Sequence, residues 1–130
     1  MIFALKTSDN TTGMWLYSPD GAVVANYSWE SGRALADELL SQLTAFLHQH
    51  DVSLQNLTGI IVFSGPGSFT SLRIGHTVAN ALADSLQVPV AGATGDDWAS
   101  TAMAALACAS VGQSVLPHYG AEANITKPKT

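Results

Sequence analysis

The stretch Ser64-Gly65-Pro66-Gly67-Ser68-Phe69-Thr70-Ser71-Leu72-Arg73-Ile74-Gly75 constrains the fold more than any other part of the chain. It is entered from Ile60-Ile61-Val62-Phe63, a β-branched apolar run that reads as a buried strand. Gly65-Pro66-Gly67 ends that strand, because glycine reaches backbone angles closed to other residues and proline fixes φ. Ser68 then stands where a hydroxyl accepts a hydrogen bond from a free amide of the first helical turn. Beyond it, Phe69, Leu72, Val78, Leu82 and Leu86 recur at helical spacing. Ser71, Gly75, Ala79 and Ala83 recur every fourth residue as a separate stripe of small side chains, which lets another element approach the helix backbone closely. The stretch is a strand, a tight turn and a helix built to pack hard against a neighbour.

The rest of the chain supplies the neighbours. Ile2-Phe3-Ala4-Leu5 reads as a central strand, and Ser8-Asp9-Asn10-Thr11-Thr12-Gly13 as a turn. Strands near Met14 to Tyr17 and Ala22 to Trp29, joined by Ser18-Pro19-Asp20-Gly21, complete an antiparallel meander. Ser31-Gly32 opens a helix to about His50, with Leu35, Leu39, Leu43, Phe46 and Leu47 on one face and Leu40 widening it. Asp37 and Glu38 fall in its N-terminal half, where the helix dipole favours negative charge. Val88-Pro89-Val90-Ala91 reads as a fifth strand, and Asp96 or Asp97 caps a third helix running through Trp98, Met103 and Leu106 to about Ala109. The element order is β-β-β-α-β-α-β-α. It gives one α/β domain over residues 1–110, followed by a tail over 111–130 in which the periodic pattern dissolves.

Gly65 to Gly75 closely resembles the GPGSFTGLRIG signature of the TsaB (YeaZ) family, differing only in Ser71 where the family has glycine. The opening strand is similar to the family's apolar strand ending in Asp-Thr-Ser, and Pro117-His118-Tyr119 resembles a Pro-x-Tyr near the family's C-terminus. The resemblance implies a single ribonuclease-H-like or actin-like (ASKHA) subdomain with a five-stranded mixed sheet. It also implies a non-catalytic subunit that docks on a TsaD-like partner in making threonylcarbamoyladenosine on tRNA. On that reading ATP and metal belong to the partner, and this chain carries no cofactor.

In such pairs the first two helices of each partner form a mixed bundle, which casts Leu35, Leu39, Leu43, Phe69, Leu72, Arg73 and His76 as interface candidates. The five apolar ones fit the sheet side equally well. Arg73 pairs either with Asp37 or Glu38 within the chain or with an acid on the partner. A homodimer through the same helices is expected when the partner is absent. Two departures stand out. Lys6 replaces the family's usual aspartate, and the family's second α/β subdomain is missing, with Ala109 to Val115 in its place. That loss leaves apolar surface for the tail or another chain to cover.

Composition limits the alternatives. The chain is 47% hydrophobic and 12% charged, so few charges remain to cover its surface, which favours a partner interface. Between Arg33 and Lys127 the only Lys or Arg is Arg73, against Asp37, Glu38, Asp51, Asp84, Asp96, Asp97 and Glu122. Tight nucleic-acid binding needs clustered cations and is not expected, and Lys127 and Lys129 read as a solvated tail. Cys108 is alone, which excludes an intrachain disulfide, and its alanine-rich setting predicts a buried inert thiol. No signal peptide or membrane span is apparent, and the cytoplasm is the expected compartment.

Enzyme readings fare worse than the scaffold. A two-metal nuclease needs clustered carboxylates beginning on the first strand, which offers Lys6, with Asp9 the nearest substitute. The phosphate-loop pattern GxxxxGK[ST] is absent. His48 and His50, two apart at a helix end, diverge, so no metal site is expected. Ser64, Ser68 and Ser71 surround a glycine turn, but G-x-S-x-G is absent, and Ser68 reads as a cap. A small hydrolase or nucleotide-binding enzyme on this half-fold remains the alternative.

Overall fold

The computed structural model describes residues 1–8 and 10–117. Five strands, β1 (Ile2–Thr7), β2 (Thr11–Tyr17), β3 (Val23–Glu30), β4 (Gly59–Phe63) and β5 (Val90–Ala93), form one sheet in the order β3-β2-β1-β4-β5. The β1–β2 and β2–β3 pairs are antiparallel, and β4 runs parallel to both β1 and β5. The meander and the mixed sheet are therefore as the sequence implies. The helices are α1 (Leu35–Gln49), α2 (Phe69–Leu86) and α3 (Trp98–Leu106).

Strand alternation sorts the core into two halves. Phe3, Leu5, Ile60 and Val62 face α1 and α2, whereas Ala4, Ile61 and Phe63 face α3. β4 is buried along its whole length, as a central parallel strand covered on both faces must be. The result is three layers: a helix pair, the sheet and α3.

Boundaries move where local hydrogen bonding outweighs the apolar pattern. Val88 belongs to the turn that closes α2 rather than to β5, because its amide donates to the Ala83 carbonyl (3.0 Å) while Gln87 turns left-handed at φ 58°. Pairing begins at Pro89, whose carbonyl accepts from the Ile60 amide at 3.0 Å, so β5 starts two residues later than expected. A 3-10 turn over Gly32–Ala34 precedes α1, and α3 begins after Asp97 and ends at Leu106. Cys108 consequently lies beyond the helix and is exposed, not buried. Leu40, expected to widen the buried face of α1, is 61% exposed.

The chain leaving α3 returns along α2. The Asn80 amide nitrogen donates to the Val115 carbonyl (2.8 Å) and the Val115 amide donates to the Asn80 carbonyl oxygen (2.9 Å), so one side chain satisfies both polar groups of that residue. Most of the 111–130 tail, with His118, Tyr119, Glu122, Lys127 and Lys129, lies outside the described residues, as does Asp9.

Candidate functional site

The glycine turn fixes how α2 leaves the sheet. Gly65 has φ 123°, and a Cβ on Gly67 would stand 3.1 Å from the Ser8 backbone, so the turn passes directly against the end of β1. The Ser68 amide donates to the Ser8 carbonyl at 2.8 Å. Ser68 has extended backbone angles and accepts from the Ser71 amide at 3.4 Å, capping α2. Pro66 completes the turn.

α2 then presents distinct faces. The small-residue stripe, Ser71, Gly75, Ala79 and Ala83, is buried. Its neighbour is this chain's own sheet: a Cβ on Gly75 would lie 2.1 Å from Thr7 Oγ1, and that hydroxyl donates to the Ser71 carbonyl at 2.7 Å. Val78, Leu82 and Leu86 pack only partly buried against the core. The periodic apolar residues thus flank the contact, and the residues that make closest approach are the ones with least side chain.

Five of the interface candidates are withdrawn by burial. Leu35, Leu39 and Leu43 are at most 2% exposed on the sheet side of α1, and Leu72 is fully enclosed. His76 is 2% exposed, with Nδ1–H donating to the Leu72 carbonyl (2.8 Å) and Nε2 facing Ser64 Oγ (3.0 Å). A carbonyl only accepts, so Nδ1 carries the proton and Ser64 donates to Nε2. Burial, partly opposed by the Leu72 hydrogen bond, pushes the His76 pKa down and keeps the ring neutral. Ser64 is itself 5% exposed, and Gly92 makes room for it, since a Cβ there would stand 2.4 Å from Ser64 Oγ. Sequence reasoning did not pair Ser64 with His76. The available signal was a histidine placed between the small-residue positions of α2.

Two candidates remain outside. Phe69 is 48% exposed, and Arg73 is exposed with its guanidinium 5.4 Å from the Phe69 ring centroid, a cation–π geometry. The expected partner Glu38 instead accepts from the Trp29 indole N–H at 3.2 Å. Arg73, Ile74, Thr77, Val78 and Thr70 line a groove of about 370 Å3 with Ala36 of α1. Leu40 lies one turn beyond Ala36 on the same face of α1. The groove thus combines Ala36, Ile74 and Val78 with two threonines and the cation Arg73. On the opposite sheet face, Lys6 Nζ lies 4.6 Å from the Phe63 ring centroid. His48 and His50 are exposed. Among the described residues, no three His, Cys, Asp or Glu side chains gather as metal ligands, and no helix is long and apolar enough to cross a membrane.

Known proteins are similar to this chain in sequence and in architecture over part of its length. Residues 27–106, more than half of the chain, match the family model described as "TsaD: tRNA N6-adenosine threonylcarbamoyltransferase". The tRNA threonylcarbamoyladenosine biosynthesis protein TsaB of Bacillus subtilis is 36% identical over 68% of this chain and 38% of its own length. YeaZ from Pseudomonas aeruginosa superposes with a TM-score of 0.63 and 30% identity, over 72% of this chain and 42% of that one. The chain belongs to the TsaB/YeaZ family. A second solved structure, of a protein described as similar to peptidase YeaZ from Pseudomonas aeruginosa, matches this family member with a TM-score of 0.63 and 31% identity. It covers 68% of this chain and 40% of that one. The chain spans about two-fifths of the length of the relatives it matches. The five-stranded mixed sheet with three helices is consistent with the ASKHA-like subdomain that the resemblance implied.

Proposed function

We propose that this chain is a non-catalytic scaffold subunit in threonylcarbamoyladenosine modification of tRNA, binding a TsaD-like subunit through the outer face of α1 and α2. The observation that carries this reading is the outer face of α1 and α2 on a chain of TsaB/YeaZ lineage, where Phe69 and Leu40 are 48% and 61% exposed and Arg73 lines a groove. An apolar patch ringed by polar groups is the mark of a protein–protein contact. In this arrangement Phe69 and Leu40 are the apolar anchors, and Arg73, partly shielded by the Phe69 ring, meets an acid of the partner. ATP and metal are held by the TsaD-like subunit. Self-association through the same face is the expected state of the chain alone.

The charge pattern supports a role without direct tRNA capture, since Arg73 stands alone among acids between Arg33 and Lys127. The test is replacement of the resident TsaB of a bacterial host by this chain, followed by mass-spectrometric measurement of threonylcarbamoyladenosine in digested tRNA. Restored modification that Phe69→Asp abolishes supports the scaffold. Modification that fails to return although the chain is folded and present refutes it.

A further inference from the structure

We propose that Ser64 is a reactive hydroxyl, activated by His76, which accepts an acyl group from small activated esters entering the cavity at the ends of β4 and β5. Ser64 follows the last residue of β4, and the cavity, of about 390 Å3, is lined by Ser64, Gly92, Ala93, Thr94, Thr101 and the Val115–Leu116 segment. The ends of parallel strands are where α/β sheets take their ligands.

Three features single out this serine. Its Oγ is 3.0 Å from His76 Nε2, and the Nδ1 proton is committed to the Leu72 carbonyl, so the nitrogen facing Ser64 is the one with a free lone pair. Gly92 packs directly against Oγ, where a Cβ would stand 2.4 Å away, so that flank is filled and the side of Ser64 that lines the cavity is its one approach. Among the described residues the lining consists of hydroxyls and apolar atoms with no charged side chain, which suits a neutral acyl ester and not a phosphate or a carboxylate.

The step balances with the groups present. Ser64 Oγ attacks the ester carbonyl as its proton passes to Nε2. The C–O bond to the alcohol then breaks, and the departing oxygen takes the proton from the imidazolium. The products are an ester on Ser64 and a free alcohol, with no redox change. Behind Nδ1 stands a carbonyl where triad enzymes place a carboxylate, so the imidazolium is weakly supported. The expected outcome is one acylation per chain, compatible with a subunit that does not turn over substrate.

The experiment treats the full chain with p-nitrophenyl acetate and maps the acetyl group by peptide mass spectrometry. Acetyl on Ser64 is expected, with none at that position in Ser64→Ala and a rate lower by about tenfold or more in His76→Gln, the scale of a lost general base. Thr101→Trp, at an exposed α3 position on the cavity wall, leaves the Ser64–His76 pair in place and closes the entrance. It is expected to suppress the labelling even if His76→Gln does not fold. Acetyl confined to lysines and the N-terminus overturns the proposal. So does Ser64 labelling that proceeds equally in Thr101→Trp.

Discussion

Replacing Gly75 with alanine separates two opposed physical expectations. On helix propensity alone, alanine in mid-helix is better than glycine by roughly 1 kcal/mol. Here the new methyl would stand 2.1 Å from Thr7 Oγ1 and 3.1 Å from both Thr7 Cβ and Cγ2. β1 is a central strand and cannot move aside, so either α2 shifts outward or Thr7 rotates and breaks its 2.7 Å hydrogen bond to the Ser71 carbonyl. Overpacking of this kind costs about 1–3 kcal/mol. The lost buried hydrogen bond adds about 1 kcal/mol more, against the propensity gain of similar size. The net expectation is destabilisation by roughly 1–3 kcal/mol, read as a fall in the urea midpoint with an unchanged slope. Thr7→Ala removes the clashing hydroxyl and methyl, so the double variant should recover part of the loss, with a coupling of about 1 kcal/mol. A Gly75→Ala chain more stable than the parent would refute the claim that the small-residue stripe exists to seat α2 on β1.

Leu39→Ala, at a position 1% exposed, is expected to cost about 2–5 kcal/mol in the same assay, as a core residue and not an interface one. Because burial lowers the His76 pKa below 6.5, the unfolded chain takes up this proton first as pH falls. Stability should therefore be complete above about pH 6.5 and decline below it by up to about 1.4 kcal/mol per pH unit, levelling once the folded-state pKa is passed. Urea midpoints across that range, compared with a folded His76→Leu chain, should show the corresponding slope only in the parent. A thermal scan with ATP, ADP and magnesium should leave the midpoint unchanged. A shift equivalent to about 2.7 kcal/mol, as a ligand at 100 times its dissociation constant gives, would instead favour a nucleotide-binding chain.

Much of the architecture is legible because the chain punctuates itself. Gly65-Pro66-Gly67 ends β4, Ser68 starts α2, and the all-apolar β4 can only be central. Element order and sheet type follow from such signals together with the TsaB/YeaZ resemblance. What was not legible depends on three-dimensional closeness. Periodicity marks Leu35, Leu39 and Leu43 as one face of α1 but does not say whether sheet or partner covers it. The sheet does, and the exposed apolar residue is the off-stripe Leu40. Similarly, charge offered Arg73 either Asp37 or Glu38 within the chain or an acid on a partner, whereas its guanidinium lies beside the Phe69 ring and Glu38 accepts from Trp29. Ser64 and His76 are twelve residues apart on different elements and meet only because α2 folds back across β4. The start of β5 moved because Val88 is held by the helix end, a backbone hydrogen bond that side-chain pattern cannot report.

The central claim, that the outer face of α1 and α2 binds a TsaD-like subunit, is tested most directly by light scattering on size-exclusion chromatography. The chain is run alone and mixed with the TsaD-like protein of the same genome, in parent and Arg73→Glu forms. Arg73 is exposed, so its reversal should leave folding intact, as a matching urea midpoint would verify. The account predicts a mixed complex for the parent and its loss in Arg73→Glu. A folded parent chain that never joins the TsaD-like protein, or a complex indifferent to Arg73→Glu, would contradict it.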